Sequence, residues 1–193
     1  MKILGIYGSP RKKGNSEVIL DEALKAAAEA GAEVKRVYVK DLKMSGCLEC
    51  GGCDKTGRCV VKDDMQDVYP LMEEADAIVL AAPIFFYGMP AQAKAIVDRS
   101  QAMWAKRMLN KPREQWKNHE SGTGYLIAVG ATKGKNLFEG IQLVAKYFYD
   151  AMDMDYDGGL FYRGLEKKDD AGNNPEIMKE AREFGRRIVE GSR

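Results

Sequence analysis

Two stretches of this chain combine residue types and spacings that do chemistry. The first is GSPRKKGNS, positions 8–16. Ser9, Asn15 and Ser16 offer short side-chain donors, Gly8 and Gly14 permit close backbone approach, and the spacing of Val18, Ile19, Ala23, Leu24 and Ala27 predicts that a helix follows. A helix start adds N–H groups without helical acceptors and a dipole that favours negative charge. The set suits a phosphate dianion, with Arg11 as a charge-assisted partner and Lys12 and Lys13 facing water. A Walker loop is disfavoured, because five residues rather than four separate Gly8 from Gly14 and Asn15 replaces the lysine. Gly5, Gly8 and Gly14 also miss the spacing of a dinucleotide fingerprint. The plain alternative is a capped strand-to-helix turn, since serine and asparagine are ordinary caps.

The second stretch holds Cys47, Cys50, Cys53 and Cys59, spaced C-x2-C-x2-C-x5-C among Gly46, Gly51, Gly52 and Gly57. These are all of the chain's cysteines, too local to staple a fold. Thiolates along a glycine-rich loop can wrap one inorganic core, and four sulfurs complete a [4Fe–4S] cubane. The last gap is longer than in the bacterial ferredoxin run, and no proline follows Cys59. Zinc and metal-free thiol redox chemistry stay open, although zinc usually takes two C-x2-C pairs set farther apart. Lys55, Arg58 and Lys62 either balance the charge of such a site or are solvated.

The elements that position these stretches alternate. Strands are expected at 2–7, 33–39, 77–82, 125–129 and 154–162, and helices at 16–30, 64–75 with a break near Pro70, 88–103, 134–152 and 175–191. A polar excursion is expected over 105–122. Strand–helix alternation predicts an α/β fold, a parallel sheet with helices on both faces, in one domain over 1–193. The cysteine-rich insertion, 46–60, falls after the second strand.

Composition excludes several classes. The chain of 193 residues is 45% hydrophobic and 31% charged, with a net charge of +1, so no general field draws nucleic acid or anionic lipid. The longest apolar run, 75–87, is broken by Asp76 and Pro83, so no membrane span is expected. Met1 leads directly into a strand without the pattern of a secretory leader, so a cytosolic location is expected. The basic run Lys106, Arg107, Lys111, Arg113 and Lys117 reads as a solvated face rather than a nucleic-acid surface. The sole histidine, His119, reads as a surface residue, and no side-chain acid or base is evident for catalysis.

GSPRKKGNS after an N-terminal strand, together with APIFFYGMPA at 82–91, resembles the two flavin-contacting loops of the NADPH-dependent FMN reductase and iron–sulfur flavoprotein superfamily. The likeness spans positions 1–135. It implies a flavodoxin-like doubly wound sheet of five parallel strands, order 2-1-3-4-5, and FMN as cofactor. Ser9, Arg11, Asn15 and Ser16 would then bind the phosphate. Pro83, Ile84, Phe85, Phe86, Tyr87 and Gly88 would lie along the ribityl chain and isoalloxazine, with Ala131 and Thr132 in a third loop. For IFFYGMP the alternative is a strand end packed in the core.

The cysteine spacing resembles that of the iron–sulfur flavoproteins, which implies a [4Fe–4S] cluster on Cys47, Cys50, Cys53 and Cys59. The implied activity is electron transfer from ferredoxin or NAD(P)H to a small-molecule acceptor. A cluster-free NAD(P)H-dependent FMN or quinone reductase, and a non-catalytic flavodoxin-like carrier, are the alternatives. The resemblance also implies a homodimer or homotetramer, in which one subunit's cluster comes near another's FMN, with Trp104 and Trp116 as candidate contacts.

Overall fold

Strand β1 (Lys2–Tyr7) sends Ile3 and Tyr7 to one face and Leu4 and Ile6 to the other, all of them buried, because successive strand side chains alternate. The computed structural model describes residues 1–191. Within it β2 (Glu33–Tyr38), β3 (Ala77–Pro83), β4 (Thr123–Gly130) and β5 (Asp155–Arg163) complete one sheet of order β2-β1-β3-β4-β5. Every pairing is parallel.

Among the described residues six α-helices cover the sheet: α1 (Asn15–Glu29), α2 (Met65–Glu73), α3 (Ala91–Arg99), α4 (Gln101–Asn110), α5 (Glu139–Ala151) and α6 (Pro175–Glu190). Helices α1 and α6 bury Ile19, Leu20, Leu24, Phe184 and Ile188 on one face. The remaining helices bury Met65, Met72, Ile96, Met103, Ile141 and Phe148 on the other. This is the flavodoxin-like architecture expected from the sequence, with both faces of the central strands in apolar surroundings. The loops after β1, β3, β4 and β5 therefore gather at one edge, the carboxyl ends of the strands. No helix of the described residues is long and apolar enough to cross a membrane.

Several local expectations need correction. The helix expected over 88–103 is two, α3 and α4, which meet at Ser100. The Ser100 hydroxyl donates to the Val97 carbonyl at 2.6 Å, a local bond that competes with the helical ladder. Helix α2 runs through Pro70 without a break. Helix α5 begins only at Glu139 because residues 134–138 form turns that bury Leu137 and Phe138.

The excursion expected over 105–122 is helical as far as Asn110, and its cations are not solvated as a group. Arg107 and Lys111, with side chains only 5% and 8% exposed, pair with Asp153 at 3.0 and 2.8 Å. Arg107 also pairs with Asp150 and donates to the Trp116 carbonyl. Lys106 pairs with Glu73 at 2.8 Å. His119 is not a free surface group either: its ring nitrogens lie 2.9 Å from Asp150 and 2.8 Å from Asp155. Burial pushes the Asp150 carboxyl up, but hydrogen bonds from His119 and Arg107 outweigh it and hold the group below its ordinary range. The carboxylates responsible are 31 to 46 positions from the cations they engage along the chain, which hides the pairing from a local reading of charge.

Candidate functional site

At the carboxyl edge of the sheet a cleft of about 390 Å³ is bounded by the loops after β1, β3, β4 and β5. Of the residues expected there, Ser9, Arg11, Asn15, Ser16, Pro83, Ile84, Phe85 and Ala131 line it. Helix α1 opens into this space with Gly14 as its N-cap and no side-chain cap. Its first ladder bond runs from Val18 N–H to the Gly14 carbonyl at 3.0 Å, so the N–H groups of Asn15, Ser16 and Glu17 have no acceptor within the helix. Ser9 Oγ accepts from the Arg11 backbone N–H at 3.1 Å, which folds the preceding residues into a tight turn.

The Asn15 side chain is engaged within the protein. Its Nδ2 donates to the Lys167 carbonyl at 2.8 Å and its Oδ1 accepts from Ala171 N–H at 3.0 Å. The side chain thus fastens the loop after β5 onto the start of α1. That loop brings Leu165 and Glu166 to the cleft, assisted by Leu165 N–H bonding the Gly130 carbonyl at 3.2 Å. Sequence reasoning missed Leu165 and Glu166. Strand order was the signal that could have found them, since β5 lies beside β4 and its exit must reach the same edge.

Phe86, Tyr87, Gly88 and Thr132 do not line the cleft. Phe85 and Gly88 exchange backbone hydrogen bonds at 3.0 and 2.9 Å around a two-residue turn. Phe86 and Tyr87 occupy its centre with φ of 49° and 63°, the left-handed region that bulky residues rarely enter. Phe86 projects fully into solvent. Tyr87 is braced by two glycines: a Cβ at Gly134 would overlap its hydroxyl, and one at Gly140 would lie 2.6 Å from its carbonyl oxygen. The core-packing alternative for this segment is not what the structure has, since Phe85 is also about half exposed.

The four cysteines line a second, separate cavity of about 600 Å³. Cys47 and Cys50 are exposed, and Cys53 and Cys59 are partly covered. Burial pushes the Cys53 thiol up. The cysteine loop lies against α4 at Gly57, whose φ is +65° and where a Cβ would sit 2.6 Å from Lys106 Cα, so glycine is needed for both backbone shape and space. Among the described residues no three His, Cys, Asp or Glu side chains converge closely enough to hold a metal ion. The donor chemistry still fits an iron–sulfur group, with four free cysteines among the residues that line one cavity. Both ends of the loop are tied to Arg99, which donates to the Ser45 carbonyl at 3.1 Å and pairs with Asp63 at 2.6 Å. That guanidinium holds the Asp63 carboxyl below the ordinary carboxylate range.

Comparison with known proteins agrees with this geometry. The NADPH-dependent FMN reductase family matches residues 1–137. An iron–sulfur flavoprotein of Methanocaldococcus jannaschii is 32% identical over 196 residues, covering 98% of this chain and 96% of the relative. One from Methanosarcina thermophila is 35% identical over 149 residues, covering 77% and 73%. Among solved structures, a flavone reductase superposes with a TM-score of 0.71 at 21% identity, over 100% of this chain, which spans 63% of that protein. An NAD(P)H:quinone oxidoreductase from Methanothermobacter marburgensis gives a TM-score of 0.71 at 14% identity, covering 97% and 96%. The structural likenesses establish the fold, and the sequence likenesses establish the family. The chain belongs to the NADPH-dependent FMN reductase family, among the proteins called iron–sulfur flavoproteins, and is an FMN-dependent oxidoreductase.

Proposed function

We propose that the chain holds FMN by its phosphate at the start of α1, carries a [4Fe–4S] cluster on Cys47, Cys50, Cys53 and Cys59, and moves electrons from a one-electron donor such as ferredoxin to a small acceptor. The observation that carries the flavin part is the uncapped first turn of α1 opening into the cleft. N–H groups at Ser16 and Glu17, the Ser9 and Ser16 hydroxyls and the Arg11 guanidinium suit a dianion. Ile84 and Phe85 offer an apolar wall for a flat ring, and Leu165 and Glu166 close the side toward β5. Phe86, Tyr87, Gly88 and Thr132 are placed in this reading at the outer rim, reached by the ring's far edge. Asn15 acts by holding the loop after β5 rather than by its own amide.

For the cluster part, the support is four free cysteines lining one cavity and the name shared by the relatives. When bound, the cluster supplies one-electron exchange and the flavin two-electron chemistry, which makes the protein a converter between the two kinds of carrier. The same reading includes a homodimer or homotetramer. Trp104, 41% exposed, offers contact area for it, whereas Trp116 Nε1 is engaged by the Lys111 carbonyl.

A second reading, a cluster-free NAD(P)H-dependent FMN or quinone reductase, is favoured by the absence of convergent metal ligands among the described residues. Anaerobic stopped-flow reduction of the purified protein separates the two. Reduced ferredoxin is expected to bleach a broad cluster absorption and the flavin bands in turn, with NADPH slow. Rapid flavin reduction by NADPH, in protein without iron or acid-labile sulfide, contradicts the cluster reading.

A further inference from the structure

The cations beside the cysteines in sequence do not balance their charge in space. Lys55, Arg58 and Lys62 are all exposed and none of them lines the cysteine cavity. Three carboxylates do, from Glu49, Asp54 and Asp98, and among the described residues the sole cation on its wall is Arg99, the last residue of α3. Arg99 is 2% exposed. Its Nη1 and Nη2 grip Asp63 at 2.6 and 3.0 Å, and Nη2 also lies 3.4 Å from Cys59 Sγ. Its Nε is buried with no partner among the described residues. The Arg99 carbonyl accepts from the Tyr69 hydroxyl at 2.9 Å, which fixes the end of the helix that carries the guanidinium.

We propose that Arg99 is a positioning residue for the cysteine site: its guanidinium donates a charge-assisted hydrogen bond to the Cys59 sulfur and raises the reduction potential of a cluster held there. The inference builds on the cluster reading above. Reduction by the one-electron donor adds one electron and one unit of negative charge, with no bond made or broken. A fixed cation and N–H donor at a ligand sulfur favours the more negative state, and hydrogen bonds to sulfur are an established lever on such potentials. Burial enlarges the effect, because the guanidinium reaches the sulfur without intervening solvent. A mere stitch between Ser45 and Asp63 needs neither the contact to sulfur nor a cation, since buried ion pairs are often replaceable by apolar contacts.

Arg99 and Asp63 form one pair, so the two roles separate by sign. The probe is protein reconstituted anaerobically with iron and sulfide, its content assayed and its potential measured by spectroscopic redox titration. Arg99→Gln is expected to lower the reduced-to-oxidised ratio at fixed potential by about tenfold, about 59 mV for a one-electron couple. Asp63→Asn, which leaves the cation and releases it from its carboxylate, is expected to shift the potential upward, and Arg99→Lys to fall between wild type and Arg99→Gln. Should Arg99→Gln fail to fold, an upward shift in Asp63→Asn with a downward shift in Arg99→Lys supports the proposal. Loaded variants with wild-type potentials, or shifts of one sign throughout, overturn it and leave the cluster reading intact. Wild-type protein that takes up neither iron nor sulfide overturns the cluster reading itself, and this inference with it.

Discussion

Gly14→Asp is expected to weaken FMN binding by at least about 100-fold while leaving the flavin-free protein as stable as wild type. The backbone at Gly14, with φ −74° and ψ 166°, is open to any residue, and a Cβ there meets Ser9 Oγ at 3.4 Å, an ordinary contact. Aspartate is a favoured N-cap and differs from glycine there by only a few tenths of a kcal/mol, so the helix start survives. Its carboxylate, however, takes the first-turn N–H groups and puts a negative charge where the dianion must sit. Hydrogen bonds to charged groups are worth about 1.5–3 kcal/mol each, and losing two of them accounts for the stated factor before repulsion is added. Flavin fluorescence titration and urea unfolding of the same preparation check both halves. Retained FMN affinity would place the phosphate elsewhere.

Cys50→Ser is expected to remove iron and sulfide while leaving flavin content and fold unchanged. Cys50 is exposed, and nothing between positions 46 and 60 belongs to either apolar core. A surface change of this kind moves the stability of the cluster-free chain by no more than about 0.5 kcal/mol. The serine hydroxyl is a poor replacement for a soft thiolate, so iron and sulfide are expected to fall below about one-tenth of the wild-type content. The cleft and the cysteine cavity share no lining residue, which is why the flavin bands should persist. Loss of flavin together with iron would mean that the two sites depend on one another. Metal analysis with an absorption spectrum of the same sample decides it.

The regular part of this molecule was readable because period-two strands and period-3.6 helices leave different apolar spacings. The β-branched Val34 and Val37 marked β2 despite imperfect alternation, and a continuous apolar run marked β3 as a strand covered on both faces. The loop after β1 was readable as part of the cleft because its residues are contiguous. Residues that act across the chain were not. Asn15 has the composition of a phosphate donor, but its partners are Lys167 and Ala171, and only the closed sheet brings them close. Arg107, Lys111 and His119 looked like solvated polar groups because Asp150, Asp153 and Asp155 follow a full strand later. Arg99, within an amphipathic helix, gave no local sign that it reaches the cysteines 40 positions earlier.

The Phe86–Tyr87 turn shows the same limit from another side. Two aromatics at positive φ contradict the glycine and asparagine preference of such turns. Strain of about 1–3 kcal/mol per residue persists only where surrounding structure over-determines it, here through Gly134 and Gly140. The turn directly follows Phe85, which lines the cleft. Spending stability there fits a site that presents a rigid aromatic rim to a planar ligand.

The central claim is that the phosphate anchors the flavin at the start of α1. Calorimetric titration of the flavin-free protein with FMN and then with riboflavin, which lacks only that phosphate, tests it most directly. The account predicts at least about 100-fold tighter binding of FMN, a difference of about 2.8 kcal/mol that shrinks as salt is added. Equal affinity for the two ligands would contradict it.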